Sequence, residues 1–298
     1  MKLYQFSRTL FQFLAIALFT IVLTCACKAL GASGLLPAQS ASAGSGAGAA
    51  NPELVPAPQD PQAMSVLNQV LAGGGGAPAI AAVSDYTATG SVEAGGLQHS
   101  MTIRGLLGSE FRIDVSSPEG TYSSGVDQGM VFSKAVDGTV SRPQQSNGHP
   151  NPFALPVWTP LYPAGFAFPS AFVGNIVSAT TFGVSYIGTT TINGHTVHDI
   201  RITAGPFTAA SQSGTMRLGL RQTRDLFIDT STFQIVAFRE TVPRNPIHEV
   251  DYSNYEAVNG VLMPFTIYDS YGGQAGVTIQ INQIVFNTGL QQSDFAVQ

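Results

Sequence analysis

The chain has 298 residues and a formal charge of −5, with only 10% charged residues against 44% hydrophobic ones. An acidic chain without a basic run argues against a nucleic-acid surface and against an electrostatic grip on anionic lipid. So little charge in a chain rich in Gly, Ser and Thr suits a β-protein with polar, uncharged outer faces.

Residues 1–33 read as an export leader. Lys2 and Arg8 give a positive start, Leu10 to Leu23 is apolar except for Gln12 and Thr20, and the small residues Ala29-Leu30-Gly31-Ala32-Ser33 follow. The other reading is an uncleaved anchor, because Leu10 to Cys27 approaches the length of a spanning helix. Cys25 and Cys27 are the only cysteines, so no disulfide framework supports the fold. Either is a candidate lipidation site, although Val22-Leu23-Thr24 and Thr24-Cys25-Ala26 fit a lipoprotein signal poorly. Residues 34–59 are a linker of Ala, Gly, Ser and Pro without apolar period, a composition that cannot offset the entropy of ordering.

A single β-domain is expected over 60–298. It opens with a helix: Asp60 can cap, Pro61 suits the first helical position, and Ala63, Val66, Leu67, Val70 and Leu71 make one apolar stripe. Gly73 to Gly76 stops it, and so short a helix must pack on something. From Val83 onward the pattern alternates. Asp85 to Val92 is a first strand, Met101 and Ile103 alternate with Thr102 and Arg104, and Phe111, Ile113 and Val115 alternate with Arg112 and Asp114. Val131-Phe132 precedes an Asp137-Gly138 turn. Asn193-Gly194 and Asn259-Gly260 mark hairpins. Val277, Ile279 and Ile281 face one side and Thr278, Gln280 and Asn282 the other, as in an antiparallel sheet covered on one face. The stretch 149–186 breaks the pattern. It is too rich in proline for central strands, is apolar and aromatic, and ends in a short helix from Pro169 to Val177. It is either a loop over a sheet end or a lid over an apolar cavity.

Chemical motifs are sparse. Asp229-Thr230-Ser231 looks superficially like an aspartic-protease loop, but that chemistry needs two carboxylates sharing a proton. It reads better as a tight turn closed by local hydrogen bonds. His195 and His198 lie three apart in a strand and so point to opposite faces, which is unsuited to joint metal binding. There is no G-x-S-x-G elbow, no phosphate cradle and no N-glycosylation sequon. Arg104, Arg112, Arg224, Asp225, Arg239 and Glu240 read as a solvated face with cross-strand pairs. Neither a cofactor nor catalysis is expected.

The order of these elements, from the leader and helix through YTATGSV, MTIRG, FRIDVSSPEG and GVDQGMVF to LFIDTSTFQIVAFRE and VDYSNYEAVNGVLMPFTIYD, resembles the LolA/LolB-like lipoprotein-sorting and lipoprotein-carrier proteins of bacteria. The resemblance covers about Gln62 to Phe295. It implies a mainly β fold, a half-open antiparallel β-barrel whose concave face is closed by the N-terminal helix and by a helical or loop lid. It also implies a non-catalytic carrier or sorting protein, free in the periplasm or tethered to the outer membrane by lipid, with a lipid or lipoprotein acyl chain as ligand. By the same resemblance Arg104 is the candidate for an arginine that helps hold the lid, although alternation sets it opposite Met101 and Ile103. The apolar strand faces supply the expected cavity lining: Met101, Ile103, Phe111, Ile113, Val115, Phe132, Leu226, Ile228, Phe265, Ile267, Val277, Ile279 and Ile281. Trp158, Leu161 and Phe166 are the lid candidates. A monomer is expected, with a possible envelope protein partner. The other reading is an envelope structural or interaction protein whose sheet is filled by its own side chains.

Overall fold

Asp60 sets the first helix as its sequence promises. Its carboxylate accepts from the amides of Gln62 and Ala63 at 2.8 and 3.3 Å, and Pro61 starts helix α1 (Pro61–Gly73). The stripe Ala63, Val66, Leu67, Val70 and Leu71 is the buried face. Gly74 closes the helix by donating to Val70 O, and its own carbonyl accepts from Leu262. Gly75 stands at φ +112°, where a Cβ would meet Gly260 O at 2.3 Å, so only glycine lets this end dock on the strand turn beneath it.

The computed structural model describes residues 57–107, 110–128, 130–141, 167–179, 181–204, 223–241, 247–273 and 275–297. The leader, the first part of the linker, Cys25, Cys27 and the lid candidates Trp158, Leu161 and Phe166 lie outside the described residues. No helix of the described residues is long and apolar enough to cross a membrane.

Three features depart from the expectations. A short helix α2 (Ala77–Ala81) precedes the first strand where only the end of the glycine stop was expected; it buries Ile80. The last residues of the linker run along the sheet, with Gln59 in a parallel bridge to Val184 and Val184 N donating to Pro58 O. Helix α3 (Pro169–Ser178) falls where the short helix was expected, but the apolar excursion ends before Phe182 rather than at 186. Once the prolines stop at Pro169, alternation resumes, and Phe182 and Val184 turn inward from a regular strand.

Among the described residues, thirteen strands form one antiparallel sheet. They are β1 (Asp85–Ala94), β2 (Leu97–Leu106), β3 (Glu110–Ser117), β4 (Gly120–Asp127), β5 (Met130–Lys134), β6 (Val140–Ser141), β7 (Phe182–Ile192), β8 (His195–Ala204), β9 (Thr223–Asp229), β10 (Ile235–Thr241), β11 (His248–Val258), β12 (Val261–Tyr271) and β13 (Val277–Phe286). The order is β6-β5-β4-β3-β2-β1-β13-β12-β11-β10-β9-β8-β7. The chain therefore starts in the middle, spreads to one edge, crosses to the other and returns to lie beside its own first strand. β6 and β7 do not pair with each other, which leaves the half-open barrel that the resemblance implied.

The expected turns position the strands. Asn193-Gly194 stands at φ 50° and 83°, and Asn259-Gly260 at 49° and 83°. These are the left-handed pairs whose twist suits a two-residue hairpin. At the seam, buried Asp85 accepts from the amide and hydroxyl of Thr288, both at 2.7 Å, and pins the start of β1 to the chain leaving β13.

The concave face carries one core. Strands contribute Tyr86, Ala88, Ile103, Val184, Ile202, Leu226, Phe238, Tyr252, Ile267 and Ile281, and the helices contribute their apolar stripes. Gly105 is a fixed point in that core. A Cβ there would meet the Tyr86 ring at 2.3 Å, and Tyr86 is fully buried. Gly105→Ala is expected to cost about 1–3 kcal/mol by overpacking, read as a lower urea midpoint with an unchanged slope.

Candidate functional site

Register decides which residues share the concave face. Tyr86 pairs with Phe286 and Gly105, Ala88 with Ile284 and Ile103, and Gly90 with Ile281 and Met101. Ile103 pairs with Ile113 and Met101 with Val115. On the other side Ile279 pairs with Ile267, Ile267 with Tyr252, Val250 with Phe238, and Phe238 with Leu226. Twelve of the thirteen expected lining residues, all except Phe132, belong to the concave core or pack against it.

Phe132 does not. It pairs with Gly125, which pairs with Arg112, so it belongs to the convex face, while Phe111, Val126 and Val131 take the other register. It is still 1% exposed. A 3₁₀ turn at Gln292–Phe295 packs over β3 and β4 on that convex side, with Phe295 fully buried. An apolar residue on a strand does not say which face is covered when both are. Arg104 also lies on the convex face, bonded to Asp114 at 2.8 Å, and it pairs with Thr87 and Arg112. That position sets it opposite the helices α1 and α3.

The concave wall is covered rather than open. Helix α3 lays Phe168 on Phe286 (ring centroids 5.8 Å apart, stacked) and edge-on to Tyr86, and Phe172 edge-on to Phe238 at 6.1 Å. Helix α1 packs beside it. At the rim where both helices meet the turns of β9–β10 and β11–β12, a cleft lined by Val70, Gly74, Ser170, Phe233, Tyr255 and Leu262 holds about 20 Å³, enough for a water molecule. Two hydroxyls buried on this side, Tyr86 Oη and Ser170 Oγ, have no hydrogen-bond partner among the described residues.

The feature missed by the sequence reading is a row of charge on this apolar wall. Arg224 and Glu240, expected on a solvated face, lie on the concave one. Arg224 is 1% exposed and bonds Glu240 Oε1 through Nη2 at 2.8 Å and Nε at 3.1 Å. Glu240 pairs in register with His248. His248 points Nδ1 at Glu240 Oε2 (3.8 Å) and Nε2 at Asp269 Oδ1 (2.8 Å). The Arg224 guanidinium also lies 5.3 Å over the Phe238 ring. The signal was available: Arg224 is in phase with Leu226 and Ile228, Glu240 with Phe238, His248 with Val250 and Tyr252, and Asp269 with Phe265 and Ile267. On the convex face Arg201–Asp225 and Arg239–Glu249 form half-buried cross-strand pairs of the kind expected of charged strand residues.

Electrostatics follow from these contacts. Burial works against the Glu240 charge, but the neighbouring His248 and the positive charge and hydrogen bonds of Arg224 outweigh it and hold the carboxyl down at about 2. Burial pushes the Tyr86 hydroxyl well above the ordinary tyrosine range, and burial followed by repulsion from Tyr252 does the same at Tyr255. Elsewhere the bland readings hold. The Asp229 carboxylate accepts from the Ser231 hydroxyl and amide and from Thr232, which lowers its pKa and closes a turn. His195 binds Asp229 and His198 binds Tyr186, so the two histidines serve different partners.

No family model matches the chain, and no curated protein matches it. Solved structures do. The chain is similar to a putative outer membrane lipoprotein-sorting protein domain from Vibrio parahaemolyticus, at 12% identity and TM-score 0.47, over 78% of this chain and 96% of that one. It is similar to a LolA superfamily protein from Nitrosomonas europaea, at 10% identity and TM-score 0.45, over 78% and 97%. A DUF1329 family protein from Desulfovibrio piger matches at 10% identity and TM-score 0.44, over 79% and 99%. At such identities no residue role carries over to this chain.

The charge row generates a prediction. Glu240 is depressed below its ordinary 4.5, so its stabilisation is present above that pH and lost as pH falls towards about 2. The loss is on the order of 3 kcal/mol. Acid titration of the melting temperature is expected to show this step in the wild type and to lack it in Glu240→Gln, which starts lower by about 3–5 kcal/mol because Arg224 is left buried without its carboxylate.

Proposed function

We propose that the protein is an exported, non-catalytic binding protein of the cell envelope that holds a lipid or lipoprotein acyl chain against the concave face of its sheet. The observation that carries this reading is how the wall is closed. The apolar surface of the sheet is covered by helices α1 and α3, and α3 is only ten residues long, with no side-chain cap and no charged residue. A helix of that length does not hold by itself. Its hold is the burial of Phe168, Phe172, Val173 and Ile176. An acyl chain offers the same apolar contact at about 0.8 kcal/mol per buried CH₂, so helix and ligand are interchangeable occupants of one surface. Tyr86 Oη and Ser170 Oγ would give a polar group of the ligand something to bond. The acidic chain and its sparse charge favour capture by apolar burial over attraction to anionic headgroups. Read as an export leader, residues 1–33 would carry the site out of the cytoplasm, and a partner protein of the envelope would deliver or receive the chain.

The second reading, a core filled by the protein's own helices, draws on the lining itself. Met101, Phe111, Ile279 and Ile281 are each no more than 8% exposed.

Phe172→Ala separates the two. Removing the ring from Phe238 is expected to cost about 3–5 kcal/mol. For a carrier, the space gained strengthens uptake of a fluorescent fatty acid such as cis-parinaric acid by the delipidated chain, and native mass spectrometry shows added mass that extracts into solvent. Destabilisation without uptake, in wild type and variant alike, would establish the filled core.

A further inference from the structure

We propose that His248 is a buried imidazolium that latches helix α3 over the concave face, and that its loss of a proton in alkaline solution releases the helix and opens the surface to ligand. The regulatory part rests on the binding function proposed above; the latch itself does not.

The geometry carries it. Carboxylates only accept hydrogen bonds, and both ring nitrogens of His248 face one: Nε2 lies 2.8 Å from Asp269 Oδ1 and Nδ1 3.8 Å from Glu240 Oε2. A neutral ring has one bare nitrogen, and either tautomer would aim its lone pair at a carboxylate. One carboxylate in hydrogen-bond contact and a second in ion-pair contact favour the ring with hydrogen on both nitrogens. Among the described residues, the charged groups facing the ring are Glu240 from β10 and Asp269 from β12, with Arg224 of β9 behind Glu240. Tyr252, two residues along β11, is held neutral first by burial and then by Asp269. With His248 protonated, two cations meet two anions in a wall that is otherwise apolar. Removing one proton leaves an uncompensated buried negative charge, which is costly where water is excluded.

The row is mechanically joined to α3. Arg224 lies over Phe238, and Phe238 receives the edge of Phe172. Glu240 is two residues beyond Phe238 on the same face of β10, so a shift of Glu240 away from Asp269 moves the strand on which α3 rests. Burial pushes the His248 pKa down, but Asp269 and Glu240 outweigh it and hold the pKa above the ordinary 6.5. The stability contributed by a raised histidine is full below its unfolded pKa and is lost as pH rises through the folded one, so the latch opens on the alkaline side.

Three measurements on the full chain test this: ¹⁵N resonances of the His248 ring, hydrogen-exchange protection of the α3 amides, and cis-parinaric acid uptake, each between about pH 7 and pH 10. The expected result is two protonated ring nitrogens at neutral pH and a fall in α3 protection of about tenfold or more, with the same midpoint as the ring. His248→Gln should abolish the step. Asp269→Asn, which keeps the ring but removes one carboxylate, should move it to lower pH. A ring with one bare nitrogen at neutral pH overturns the proposal, as does a step that survives in His248→Gln. If the ring and α3 titrate together but no probe enters at any pH, the latch stands and the binding function falls. If uptake is strong and independent of pH in both wild type and His248→Gln, the function stands and the latch falls.

Discussion

An antiparallel sheet with one apolar face must have that face covered, and here the sheet is too wide and too curved for its own strands to do it. β6 and β7 stand at opposite edges and do not meet. The cover has to come from elsewhere in the chain, and it comes from two places far apart in sequence: α1 ahead of the first strand, and α3 between β6 and β7. Everything on the concave side follows from that. The stripe of α1 is spaced to lie on strands, the glycine run behind it is shaped to seat on the β11–β12 turn, and Phe168 and Phe172 reach the two halves of the sheet, at Phe286 and Phe238.

The same constraint explains what could be read without the structure. Period-two alternation and Asn-Gly turns gave the strands because a one-sided sheet imposes that alternation, and the stripe from Ala63 to Leu71 gave α1 because a helix lying on the sheet imposes its own period. The errors came where a second cause acted. Phe132 alternates like a lining residue, but the C-terminal 3₁₀ turn covers the convex face of β3 and β4, so an apolar residue is also wanted there. Arg224 and Glu240 were assigned to solvent by residue type, while their phase with Leu226 and Phe238 assigned them to the core. Phase was the better guide. In a sheet whose two faces differ, a charged residue in step with buried neighbours has a partner across the strand, and register supplied Glu240 to Arg224 and His248 to Glu240.

Burying a charge row in this wall is a poor way to gain stability. Apolar residues of similar volume commonly serve as well or better, since desolvation offsets most of the attraction. What the row adds is dependence on state. Apolar contact between α3 and the strands is indifferent to pH and to small shifts in geometry, whereas Arg224, Glu240, His248 and Asp269 hold together only in one protonation pattern and one register. The wall thus joins a permissive surface, able to accept helix or alkyl chain, to a selective element at the foot of β9 to β12.

The seam between β1 and β13 has a further consequence, for assembly. The first strand pairs with β2 at once, but its other edge finds a neighbour only when β13 exists; Tyr86 waits for Phe286 and Asp85 for Thr288. Until then β1 presents an unpaired backbone edge beside an apolar surface, a template for pairing with another molecule. Contacts so distant along the chain slow the search for the native state. A nascent chain cut short before Val277 could not complete its sheet, and the intact one gains its central ladder in a single late event. The order of synthesis therefore leaves the middle of this protein, rather than its edges, as the last part to become secure.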